Sequence, residues 1–189
     1  MKIPEEIDLR LYAKPSKMEN LLALVEDPRN LVAADDQPKL FEPMYRKVLL
    51  EYLRHHSLAE KNHDLLFHPE NADVLEFFVA HQSLESRCEA RLFEVEYRPL
   101  LKIYFERGCL ADAENELLLF GCGLSMYRRL YLKLHALHNR DAEAQLFEEE
   151  FAYELGLYVE NEHCFFPDFV SILAEEHLEL YGQYCQYAT

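Results

Sequence analysis

The chain has 189 residues, 50% of them apolar with only 5 Gly and 8 Pro, which is enough apolar material for a sizeable core and argues against disorder. Its 35 Asp and Glu against 19 Lys and Arg leave a formal charge of −16, so it repels phosphate backbones and nucleic acid is excluded as an expected partner. The opening "MKIPEEIDLR" has no apolar h-region, and no run reaches the ~18 apolar residues a membrane span needs, which points to a cytoplasmic protein with no membrane partner.

Residues 1–15, with "IPEEIDLRLYAK", fit no recurring pattern and are expected to form an N-terminal cap. Residues 16–173 repeat with a period of 26 or 27. Three columns hold six units in register. The first is Val25, Tyr52, Phe78, Tyr104, Tyr131 and Tyr158; the second is Leu31, Leu58, Leu84, Leu110, Leu137 and Cys164; the third is Phe41, Phe67, Phe93, Phe120, Phe147 and Leu173. Six residues separate the first column from the second in every unit, and eleven separate the third from the next first, ending at Tyr184. Only the distance from second to third slips, by one residue.

Each unit reads as two short helices, A and B. Apolar residues four and three positions before the first column (Val48 and Leu49, Val74 and Leu75, Leu100 and Leu101) complete one helical face, which is helix A. Helix B is expected to run to the third column, opened by a capping box at Ser57 and Glu60 in one unit and by the cap-type residues Asp112 and Asn139 in later ones. The connections from B back to A are short: "HPEN", "EVEY", "GCGL", "EEEF". A ten-residue helix is marginal alone, so the units are expected to stack and bury one another's apolar stripes. Residues 174–189, rich in Tyr, read as a final helix A that caps the array or presents a face for self-association.

Tandem two-helix units with a Leu and aromatic signature resemble the HEAT, armadillo and leucine-rich-variant α-solenoids, over roughly residues 16–187. The unit is shorter than the roughly 40 residues of a HEAT repeat and lacks a tetratricopeptide signature. The resemblance implies an all-α, right-handed α-solenoid of about six two-helix repeats, one domain over 1–189, working as a non-catalytic protein-binding scaffold or adaptor without a cofactor. It transfers no catalytic, cofactor-binding or metal residue.

Several stretches invite chemistry. "YLRHHSLAEKNHDLLF", 52–67, carries three histidines, but His55 and His56 fall at a helix A end where other units carry His81 and Gln82, Arg107 and Gly108, or Leu134 and His135. Such residues suit the orphan carbonyls and dipole of a helix C-terminus. The alternative function is a di-iron-like oxidoreductase built on Glu60-x-x-His63 and Glu160-x-x-His163. Against it, the two motifs occupy different columns and nothing directs them to a shared centre. "FGCGLSMY", 120–127, holds G-x-G in a B-to-A turn, where Gly ends a helix. Five cysteines without a C-x-x-C pair read as reduced thiols, mostly packed among apolar neighbours, and neither Cys109 nor Cys122 has a nucleophile's companions.

Two departures from the columns are sharper. Arg128 stands where other units have Leu49, Leu75, Leu101 and Leu155, and Glu154 where they have Val48, Val74, Leu100 and Tyr127, so the two are expected to pair across neighbouring units. Residues 125–140 hold four Lys or Arg and no acid, while 141–162 hold eight acids and no Lys or Arg. That acidic end could dock a basic protein partner.

Overall fold

The computed structural model describes residues 5–188, most of them helical, with one pair of short strands. Residues 1–4 of the expected N-terminal cap and Thr189 of the C-terminal one lie outside the described residues. The chain divides into two compact units, Met1–Cys88 and Glu89–Thr189.

In the first unit, β1 (Glu5–Ile7) precedes α1 (Met18–Val25), and β2 (Asn30–Val32) follows it. The strands pair in parallel, Glu6 opposite Leu31 and Ile7 opposite Val32, so part of the cap lines the A-to-B connection of the first repeat. Ile7 and Val32 are buried between their neighbours. Three residues are too few for an alternation to show, and the strands had no sequence signal. Then come α2 (Arg46–His55) and α3 (Ala72–His81), each led in by a turn that starts on proline, Pro43 and Pro69. Proline's fixed φ suits a first turn, where its missing N–H is no loss. Both helices bury the expected face: Val48, Leu49 and Tyr52, then Val74, Leu75 and Phe78.

α4 (Ser86–Arg91) crosses the boundary between the units. The second unit continues with α5 (Arg98–Arg107), α6 (Ser125–Leu134), α7 (Arg140–Gln145), α8 (Ala152–Glu160), α9 (Pro167–Glu176) and α10 (Leu178–Tyr184). Asp112 and Asn139 cap as expected, accepting from the Glu114 N–H and from the Asp141 and Ala142 N–H groups. Gly123 ends its turn at φ 76°, where a Cβ would also come within 3.0 Å of Arg98 Nη1. The G-x-G stretch is thus a turn between helices.

Three expectations need correction. Helix B is tight 3-10 helix at Gln37–Phe41, Glu60–Phe67 and Ala113–Phe120, and α4 and α7 stop before the third column at Phe93 and Phe147. The Ser57 capping box does not form; Ser57 is exposed, and the segment begins at Glu60 after Ala59 with no side-chain cap. The third column holds only in part: Phe67, Phe93 and Leu173 are buried, but Phe41, Phe120 and Phe147 are half-buried, and Leu40, Leu66, Leu92, Leu119 and Leu146, one residue earlier, are fully buried. Leu and Phe adjoin in the first five units, so period alone could not say which turns fully inward. The first column holds as drawn, 0–1% exposed from Val25 to Tyr158, and the second is buried from Leu58 to Leu137 but open at Leu31 and Cys164.

Candidate interaction surfaces and the buried polar ladder

Four residues before the third column, where no motif marks it, a polar side chain recurs: Gln37, His63, Glu89, Glu116 and Glu143, none more than 4% exposed. Each receives backbone N–H groups from the extended A-to-B connection one repeat further on. Gln37 Oε1 accepts from the Ala59 N–H (2.8 Å), and His63 Nδ1 from the Glu85 N–H (2.9 Å). Glu89 takes the Ala111 and Asp112 N–H groups, and Glu116 those of His138 and Asn139. Glu143 takes the Phe166 N–H at 2.8 Å. An extended segment with unpaired N–H groups cannot be buried cheaply, and side chains do here what a neighbouring strand does in a sheet.

The first column completes the circuit. Tyr104, Tyr131 and Tyr158 donate their hydroxyls to Glu89, Glu116 and Glu143 at 2.7, 3.0 and 3.3 Å. In turn the Tyr131 and Tyr158 oxygens accept from the Leu110 and Leu137 N–H groups. Burial pushes both of these phenols far up, as does the carboxylate beside each. The Tyr52 hydroxyl meets Gln37 Nε2 at 3.4 Å. Of the five first-column residues that lie fifteen residues after a polar slot, only Phe78 has no hydroxyl, and its slot partner is not a carboxylate but His63, packed edge-on at 5.1 Å between ring centroids. The two positions change together within the one chain, fifteen residues apart.

A second ladder uses the helix A ends. The Nε2–H groups of His56, His135 and His163 donate to the carbonyls of Val25, Phe105 and Leu132, and Gln82 Nε2 donates to those of Leu53 and His56. Polar residues were expected to cap their own helix. His81 does so through the Phe77 carbonyl, whereas His56, Gln82, His135 and His163 close the preceding helix A. Burial holds His56, His63 and His163 below the ordinary imidazole value, so they are neutral near pH 7.

These bonds account for the two E-x-x-H pairs. His63 and His163 are spent on backbone, and Glu60 and Glu160 are exposed. Among the described residues no three His, Cys, Asp or Glu side chains gather as a metal-binding group. All five cysteines are free, but only Cys88 is buried, where burial raises its thiol to about 12; Cys109, Cys122 and Cys164 are exposed, so the expectation of apolar packing fails for them.

Arg128 and Glu154 meet as expected, Nη2 to Oε1 at 2.9 Å, with side chains 8% and 2% exposed. Arg129 Nε joins the same oxygen at 3.0 Å. Burial alone would raise Glu154, but the hydrogen bonds from both arginines outweigh it and hold the carboxyl below its usual value. Arg128 also lies over the Phe151 ring at 4.5 Å. The basic stretch is thereby largely consumed, since Arg140 pairs with Asp168 as well. The acids are not. Glu148, Glu149, Glu150, Glu160, Glu162, Glu175, Glu176 and Glu179 are exposed with no ion-pair partner among the described residues.

The first unit carries a groove of about 510 Å³ between β2 and the Ser57–Ala59 connection, floored by Val32, Ala33, Ala34 and Leu58 and edged by Glu6. Leu31, 41% exposed, stands on its wall. Among the described residues no helix is long and apolar enough to cross a membrane. No family model matches the chain, and no curated protein or solved structure matches it either.

Proposed function

We propose that this chain is a non-catalytic, cytoplasmic interaction scaffold, about six short two-helix repeats stacked as one right-handed α-solenoid, that docks a basic protein partner on the acidic surface of its second unit. The hand of the stack rests on the resemblance to HEAT-like solenoids. The observation that carries the reading is the fate of the charges. The Arg and His side chains of 125–163 go largely into internal bonds, while eight glutamates from 148 to 179 stay exposed and unpaired among the described residues. Rim charges of one sign steer an opposite partner and set its salt dependence more than its final affinity.

Affinity capture from the native source tests it, with wild-type chain beside the charge-reversed variant Glu148→Lys, Glu149→Lys, Glu150→Lys. A basic protein held by the first, lost on the second and released by moderate salt supports the proposal. A partner indifferent to both changes refutes it. Stoichiometric iron or manganese in the purified protein, lost on Glu60→Ala, would instead support the oxidoreductase alternative.

A further inference from the structure

We propose that Glu143 is a proton-operated latch: protonated, it rests uncharged in its buried site under the last repeat, and ionised, its under-compensated buried charge favours opening of the α9 and α10 hairpin. The geometry sets it apart from its two counterparts. Glu89 receives four donors, the Tyr104 hydroxyl, the Ala111 and Asp112 N–H groups and Asn115 Nδ2. Glu116 receives the Tyr131 hydroxyl and the His138 and Asn139 N–H groups, with His138 Nδ1 at 3.4 Å. Glu143, 0% exposed, receives the Phe166 N–H and a longer bond from the Tyr158 hydroxyl. The shortfall falls in the connection where Cys164 stands in place of the column leucine and the Glu162 backbone turns to φ 60°. A buried carboxylate with two donors for about four lone-pair sites and no cation prefers to carry a proton.

The surroundings agree. On its own helix, Arg140 is held by Asp168 of α9. Glu116 faces it from the Ala113–Phe120 segment, Tyr158 from α8 and Tyr184 from α10. His163 lies against Tyr158 at 4.9 Å and is kept neutral by burial. No free cation is among these groups, and Asp168 and Glu116 both resist a further negative charge. Burial is the largest cause that raises the Glu143 carboxyl, to about 7. The proton has a place to bind: the Tyr158 oxygen accepts the Leu137 N–H and keeps a second lone pair for a carboxyl O–H. A folded-state value raised above the unfolded one gives stability that is full at acid pH and is lost as pH rises through neutrality.

Two measurements on the full chain test this. The side-chain carboxyl carbon of Glu143, followed by NMR, should titrate near neutral pH. Hydrogen exchange at Phe166 and through α9 and α10, after correction for intrinsic base catalysis, should speed up by about tenfold between pH 6 and 8.5, the factor linkage assigns to such a group. Glu143→Gln, whose side chain Gln37 already models in the first repeat, should abolish that excess. A carboxyl ionised throughout, or an excess that survives in Glu143→Gln, would overturn the latch.

Discussion

The two units do one job with different chemistry. In residues 5–88 the acceptors for the next repeat's N–H groups are neutral, Gln37 and His63; in residues 89–188 they are carboxylates, Glu89, Glu116 and Glu143. A carboxylate can take a tyrosine hydroxyl and two N–H groups at once, which an imidazole nitrogen cannot. The stronger acceptor brings the cost of burying a charge. The lesson is that a repeat can keep its geometry while its pH dependence is set by one residue per unit.

The largest expected effect tests the most heavily charged departure from the pattern. Glu154→Ala strands the buried Arg128 and should cost about 3–5 kcal/mol in chemical denaturation, whereas Arg128→Leu with Glu154→Val restores the column residues and should lose far less. If the double variant is as unstable as the single one, the pair is more than a substitute for packing. Next, Glu116→Ala leaves the Tyr131 hydroxyl and two buried N–H groups without an acceptor and should cost about 3 kcal/mol, against about 1–2 for Gln37→Ala in the first unit. Equal losses would erase the contrast between the units.

A smaller and opposite change is expected at Phe78→Tyr. The new hydroxyl would give the Leu58 N–H the acceptor that Leu110 and Leu137 find in Tyr131 and Tyr158, for a gain of about 0.5–1.5 kcal/mol. Last comes the response to acid. His63 Nδ1 must stay bare to accept the Glu85 N–H, and burial depresses its pKa. That contribution is present above the ordinary imidazole value near 6.5 and lost as pH falls below it. His63→Gln should flatten this loss in amide exchange around Glu85. His163 gives the second unit an acid-side loss of the same sign, so only the loss on the alkaline side separates the two units.

Much of the fold was legible because helix A writes its buried face at a fixed spacing. Val48, Leu49 and Tyr52 recur as Val74, Leu75 and Phe78, and the first column came out buried throughout, the second from Leu58 to Leu137. The third held at Phe67, Phe93 and Leu173 but missed by one residue at Phe120, where Leu119 is fully buried and the tight winding of Ala113–Phe120 decided which of the two apolar neighbours turned fully inward. The pairing of Arg128 with Glu154 was legible for a related reason. Two charges in core columns of adjacent units have few partners but each other.

The ladder was harder to see. Gln37, His63, Glu89, Glu116 and Glu143 lie 26 or 27 residues apart, so the signal was present, but the residue types differ and surface glutamates are common in so acidic a chain. What could have found it is the joint change of slot and first column, His63 with Phe78 where the others pair Gln or Glu with Tyr. The sequence alone determined the period, the helix A faces and the excess of acid, since each depends on spacing or composition along the chain. Which polar residues are buried, and that His56, His135 and His163 reach the carbonyls of the preceding helix A, was decided only in three dimensions. A backbone N–H in an extended connection takes its acceptor from another repeat, and that choice is made by distance in space.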